Sequence, residues 1–195
     1  PQDVFLFSDT IGRNIAFGQG DADDQKMRQA AHDAGVQEDI EGFEHGFDTM
    51  LGERGVNLSG GQKARVSLAR ACYANRDIVV LDDILSAVDA HVARTITDKC
   101  LVEMLRNQGK TVLIATHQTL CFPNADAIVI LKDGEIAYNG SFADGKNNAD
   151  FNAILGNNDS MDITEVPENV PGDEERIARK SSVSDIALVE KRASE

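Results

Sequence analysis

Two kinds of apolar pattern alternate along the first 156 residues. From Asp23 to Ala34 apolar residues recur at helical spacing, which predicts a short amphipathic helix. From Gln62 to Ala74 the period is stronger, with Ala64, Leu68, Ala71 and Cys72 on one face. A continuous apolar run follows at Ile78–Leu81 and predicts a buried strand. His91–Arg106 is helical again, with Val92, Ile96, Cys100, Leu101, Met104 and Leu105 as its core-facing stripe and Gly109 as its stop. K-T-V-L-I-A-T, residues 110–116, is a second all-apolar strand. Such strands alternating with helices predict an α/β fold, a parallel sheet with helices on both faces. The stretch Asp126–Asn139 carries an Asp-Gly turn between two strand-like halves and predicts an antiparallel hairpin. Ser141 is placed to cap a last helix reaching Leu155.

Composition changes once, near Gly156. Beyond it, N-N-D-S-M-D-I-T-E-V-P-E-N-V-P-G-D-E-E-R is acidic, proline-bearing and without an apolar face, so it cannot bury enough surface to offset ordering entropy. The chain therefore divides into a folded part, 1–156, and a disordered acidic linker, 157–195. With 195 residues and 42% hydrophobic content, one core of ordinary size is expected. No run of about 18 apolar residues predicts a membrane span. The N-terminal P-Q-D-V-F-L-F-S-D-T has no secretory signal and begins abruptly, as a fragment would. A formal charge of −14 argues against general binding to nucleic acid, which demands a basic face. The three cysteines, Cys72, Cys100 and Cys121, are widely spaced among apolar neighbours, the pattern of reduced core thiols.

The chemistry concentrates at three points. Ser59, Gly60 and Gly61 open the 62–74 helix, where unpaired N–H groups and the helix dipole favour an anion. Asp82 ends the 78–81 strand at the edge where open parallel sheets keep their ligands, and its carboxylate is placed to hold Mg²⁺ through water. Thr116-His117 ends the second strand likewise, with a side chain able to donate to a phosphate. Against each stands a plainer role: a helix cap, a structural histidine, a simple turn. No G-x-x-x-x-G-K-[ST] loop occurs in the chain.

From Gln2 to about Leu155 the sequence resembles the nucleotide-binding domain of ABC transporters. Gln2 ahead of V-F-L-F-S-D-T-I-x-x-N-I looks like the Q-loop, L-S-G-G-Q at 58–62 is the signature, and I-V-V-L-D at 78–82 is Walker B. S-A-V-D-A at 86–90, with Asp89, resembles the D-loop, and T-H-Q at 116–118 the H-loop. G-E-R-G at 52–55 is similar to the loop by which exporters contact their membrane domains, although Met50 stands where many carry an acid. L-S-G-G-Q-K-A-R-V-S-L-A-R-A and L-D-D-I-L-S-A-V-D-A-H-V look most like the first nucleotide-binding domain of the multidrug-resistance-associated (C) subfamily.

The resemblance implies a P-loop NTPase-like fold with a helical signature subdomain, ATP and Mg²⁺ as cofactors, and coupling of ATP to efflux of organic anions or conjugates. It implies that two domains dimerise head to tail, so that Ser59, Gly60, Gly61 and Gln62 close over ATP held by the partner's Walker A loop. This domain's own Walker A is expected upstream of Pro1, and the isolated chain is expected to be inactive. Gln2 and Asp82 would serve the metal, and Gln2, Asp83 and His117 the chemistry. The usual glutamate after Walker B is here Asp83, one methylene shorter, so the site on this Walker B is expected to be slow or inactive. The partners implied are a second nucleotide-binding domain and transmembrane domains of the same polypeptide, at the cytoplasmic face of a plasma or vacuolar membrane. A channel-type member gated by ATP and a soluble ABC ATPase are the alternative readings. In the tail, R-K-S-S-V-S and K-R-A-S set basic residues before serines, which marks Ser182 and Ser194, then Ser181 and Ser184, as sites for a basophilic protein kinase.

Overall fold

The computed structural model describes residues 4–20, 22–52 and 57–156, together with the backbone of 187–190. The N-terminal half is helical. Short helices α1 (Ile11–Ile15), α2 (Asp24–Asp33) and α3 (Gln37–Glu41) lead to the long α4 (Gly60–Ala74). Then β1 (Ile78–Asp82) and β2 (Thr111–Ala115) pair in parallel, joined by α5 (Ala90–Thr95) and its continuation to Gln108. Next comes the hairpin of β3 (Ile128–Lys132) and β4 (Glu135–Gly140), then α6 (Phe142–Gly145) and α7 (Ala149–Gly156).

Except at α3, the helices start where the sequence can satisfy the first free N–H groups. Asp23 accepts from the N–H of Lys26 to open α2, and Ser59 accepts from that of Gln62 to open α4. Asn75, in the left-handed region at φ 48°, ends α4. Beyond α5 the helix widens to i→i+5 bonding over Ile96–Leu105. Its buried residues Ile96, Cys100, Leu101 and Leu105 therefore recur at steps of four and five. Gly109, at φ 77°, closes this rod as its sequence predicts. The hairpin turns on Asp133 and Gly134, both left-handed, which is the two-residue turn that Asp-Gly favours.

Two cores result. The larger joins the helical half to one sheet face, packing Leu6, Ile11, Ile15 and Leu58 with Leu68, Val79, Leu81 and Ile96. The smaller gathers Phe122, Ile128, Ile130, Phe151 and Ile154 under the hairpin. Cys72 and Cys100 are buried and free, their Sγ atoms 3.1 Å apart, and Cys121 is buried and free as well. Cys72's thiol contact and then burial raise the Cys100 thiol, and burial pushes Cys121 up to about 12, so these are inert core thiols.

Three expectations change. The last helix is not continuous to Leu155: Ser141 caps only α6, and Asn148 Oδ1 accepts from the Phe151 N–H to open α7 separately. The break brings the Phe151 ring against Gly145, where an added Cβ would sit 2.6 Å from the ring carbons. The 157–195 reading meets an exception at Ala187–Glu190, which forms β5 inside the sheet. Finally, β1 alternates: Val79 and Leu81 are buried, whereas Ile78 and Val80 are 68% and 69% exposed, so beside β1 one face carries no described helix. An apolar run gives no information on which of its two faces a neighbour covers.

Candidate nucleotide site

The site starts at the N-terminus of α4. Ser59 Oγ accepts from the Gln62 N–H at 3.2 Å, and Gln62 Oε1 accepts from the Ser59 N–H at 3.0 Å, a reciprocal capping box. Gln62 is anchored in turn, its Nε2 donating to Asp39 Oδ1 at 3.0 Å, while Arg65 Nη2 donates to Asp39 Oδ2 at 2.6 Å. Because Ser59 spends a lone pair on the cap, its hydroxyl proton remains available to a ligand. The two glycines differ. A Cβ on Gly60 would meet nothing within 4 Å, so that side is open, whereas one on Gly61 would lie 2.6 Å from the backbone oxygen of Ala87. Gly61 is therefore what allows the start of α4 to seat against the 86–90 loop.

The second part is the sheet edge. Parallel pairing sets Asp82 level with Ala115, which puts the residues after both strands side by side. The Asp83 N–H donates to the Ala115 carbonyl at 2.7 Å, and Asp83 adopts φ 47°, an uncommon conformation that Asp tolerates better than most residues. Its carboxylate then faces the H-loop, with Oδ1 3.0 Å from His117 Nδ1. That oxygen is buried and accepts no hydrogen bond of good geometry, so the contact is electrostatic and a lone pair stays open. The turn is instead closed by Asp83's backbone carbonyl, which accepts from Ser86 Oγ at 2.8 Å. Gln118 Nε2 donates to the Leu85 carbonyl at 2.7 Å and fixes the H-loop to the same turn. Asp89 caps α5, accepting from His91 and Val92 N–H at 2.9 and 3.0 Å, and the Val92 bond leads in holding its carboxyl below the usual range.

Asp82 is exposed at this edge, beside the buried Asp83 oxygen. Among the described residues no three His, Cys, Asp or Glu side chains converge to hold a metal ion. A Mg²⁺ ion here would take one or two carboxylates from the protein and its other ligands from phosphate and water, the usual state of Mg²⁺ with a nucleotide. The residues present fit that donor set.

The family model for ABC transporters matches residues 1–86. The chain is 46% identical over 143 residues to the multidrug resistance protein of Leishmania tarentolae, covering 73% of this chain and 9% of that protein. It is 40% identical over 164 residues to ABC transporter C family member 9 of Arabidopsis thaliana, covering 83% and 11%. Its fold matches a bacterial Atm1-family ABC exporter solved with ATP bound, at TM-score 0.74 and 31% identity, over 83% of this chain and 28% of that one. These matches place an ABC transporter domain at residues 1–86 and make the chain similar in sequence and fold to ABC transporters. It spans about a tenth of the length of those two curated relatives.

The residues singled out from sequence fall into two groups. Ser59, Gly60, Gly61 and Gln62 lie at α4 beside the D-loop, and Asp82, Asp83 and His117 at the sheet edge. Gln2, most of G-E-R-G, Ser182 and Ser194 lie outside the described residues. The structure adds a clamp that motif reading did not single out. Asn14, 1% exposed, donates to the carbonyls of Phe7 and Thr10 at 3.0 Å and accepts from the Phe7 N–H at 2.8 Å. Arg70, on α4, donates to the Asn14 carbonyl at 2.8 Å, to Asn14 Oδ1 at 3.0 Å and to the Phe5 carbonyl at 3.1 Å. The segment that follows Gln2 is thus fixed to the signature helix. Asn14 stands inside the quoted I-x-x-N-I, but nothing in that pattern announces its partners.

Proposed function

We propose that the chain is the ATP-binding region of an ABC exporter and that it closes, head to tail, on a second nucleotide-binding domain at the cytoplasmic face of a membrane. The observation that carries this is the open N-terminus of α4, seated by Gly61 against the D-loop backbone while the Gly60 side stays free. In this reading the Ser59 hydroxyl and the first N–H groups of α4 donate to the γ-phosphate of ATP held by the partner. Asp82 and Gln2 would hold Mg²⁺, which would supply neutralisation of phosphate charge. Asp83 orients water and His117 donates to phosphate, with their 3.0 Å contact setting the orientation of both. Asp83 is the weak member, because its short side chain is drawn toward His117 and its backbone is tied to Ala115. The signature would serve the competent site, and this Walker B the slow one. Organic anions are the proposed cargo, on the likeness to C-subfamily members.

The test is the asymmetry of steady-state ATPase in the full-length protein. Ser59→Ala is expected to reduce turnover strongly, while Asp83→Asn stays well short of the roughly 10²-fold that loss of a working base costs. Equal losses would make Asp83 a working base and end the slow-site reading. Uptake of a glutathione conjugate into inverted vesicles tests the cargo, and ATP-independent uptake would remove it.

Coupling is proposed to run through the clamp of Asn14 and Arg70, which ties the Q-loop side to α4. The same reading makes the tail a kinase target at Ser182 and Ser194, since a phosphate adds about −1.5 to −2 charge beside basic residues. Alanine at Ser181, Ser182, Ser184 and Ser194 is expected to change vesicular transport while leaving ATP affinity unchanged. Phosphopeptide mass spectrometry that finds no phosphate on the native tail would remove the mechanism.

A further inference from the structure

Asp39 lies in α3, 23 and 26 residues before the two side chains it binds, Gln62 and Arg65. Its helix is short but firmly placed: the flanking Val36 and Ile40 are 1% and 0% exposed, so the core fixes the backbone from which the carboxylate reaches α4. The two oxygens take different donors. Oδ1 accepts from Gln62 Nε2 at 3.0 Å and Oδ2 from Arg65 Nη2 at 2.6 Å.

A glutamine amide has two ends of similar size and opposite hydrogen-bonding character. The Ser59 N–H can be met only by the oxygen and the carboxylate only by the NH₂ group, so Asp39 selects the one amide orientation in which the capping box closes. That choice decides which donors α4 offers. Of the first four N–H groups, the box takes those of Ser59 and Gln62, which leaves those of Gly60 and Gly61, and the space beside Gly60 is open. Arg65 adds a second link. Its side chain is 12% exposed, its Nε is buried without a hydrogen-bond partner, and its Nη1 lies 3.8 Å from where a Gly61 Cβ would stand. A charge so enclosed is held to its carboxylate by the cost of leaving it unpaired. Asp39 therefore anchors both the cap and the cation packed beside the Gly61 contact with Ala87.

We propose that Asp39 is a positioning residue for phosphate recognition at the start of α4: acting through Gln62, it holds the Gly60 and Gly61 N–H groups in the geometry that a phosphate of the partner's nucleotide requires. This role rests on the nucleotide reading and adds to it a residue, on a separate helix, that touches no nucleotide itself.

Steady-state ATPase of the full-length protein tests it, with hydrogen exchange as a readout independent of turnover. Asp39→Asn keeps the size of the side chain but sets an NH₂ group against one of the two donors. It is expected to lower kcat about tenfold, the size of one hydrogen bond, with KM for ATP unchanged because the partner holds the nucleotide. Gln62→Ala should do the same, and the double variant should be no slower than Gln62→Ala, because both changes break one link. The Ser59 amide should exchange about tenfold faster in Asp39→Asn while the amides of residues 68–72 keep their protection, which separates a lost cap from a loosened fold. Losses that multiply to about 10²-fold in the double variant, or an unchanged Ser59 exchange rate, would overturn action through Gln62. Wild-type kcat in Asp39→Asn beside a reduced kcat in Ser59→Ala would overturn the positioning role and leave the nucleotide reading standing. Wild-type kcat in Ser59→Ala would overturn both. If Asp39→Asn does not fold, the wild-type chain still decides: a Ser59 amide exchanging there at the unstructured rate means that there is no cap to position.

Discussion

Gly61→Ala and Gly60→Ala in the full-length transporter are both expected to lower ATPase turnover by about 10²-fold or more, the scale seen when a preorganised phosphate or oxyanion donor is lost. They should do so for different reasons. At Gly61 the new methyl would meet the Ala87 backbone oxygen at 2.6 Å, and neither backbone can give way without moving α4 off the D-loop. Its loss should therefore come with a lower melting temperature for the domain. At Gly60 there is room for a methyl, so the fold should be unaffected and only the approach of the phosphate blocked. The pair separates a packing role from a ligand role at adjacent positions. Wild-type turnover in Gly60→Ala would show that no phosphate comes near α4 on that side.

The second large effect is on stability. Asn14→Ala should destabilise the domain by roughly 2–4 kcal/mol, because truncating this buried hub leaves two donors without their acceptor at once. The groups left are the Phe7 N–H and one guanidinium N–H of Arg70, since the Phe7 and Thr10 carbonyls keep the backbone N–H groups of Asp9 and residue 14. Arg70 would keep its bonds to the Asn14 and Phe5 carbonyls, so the loss is partial rather than total. The measurement is the urea midpoint at unchanged m-value. A change below about 0.5 kcal/mol, the range of ordinary surface substitutions, would mean that water replaces the side chain without penalty.

What could be read from the sequence depended on how local the cause was. The α4 helix, β1, β2 and the hairpin are written in runs, caps and an Asp-Gly turn, each of which acts over a few residues. The pairing of Asp83 with His117 needed the β1–β2 register, which places Asp82 beside Ala115 and is set by packing rather than by either strand alone. The break between α6 and α7 turns on a ring against Gly145, a contact that spacing does not reveal. β5 was hidden for another reason. A-L-V-E is four residues in an acidic tail, and it becomes a strand because two edges elsewhere are available to pair with it. Asn14 and Arg70 look like ordinary polar letters on amphipathic segments until their partners are known.

The φ of 47° at Asp83 makes the identity of the acid and the shape of the turn a single inherited choice. Left-handed backbone is tolerated by Asp and Asn, whose short polar side chains bond locally, and costs longer residues on the order of 1–2 kcal/mol. Lengthening the acid by one methylene would therefore have to reshape the turn that Ser86 and Ala115 now hold. Asp83→Glu would therefore cost backbone energy before its longer reach could gain anything, so the turn itself resists exchange of one acid for the other.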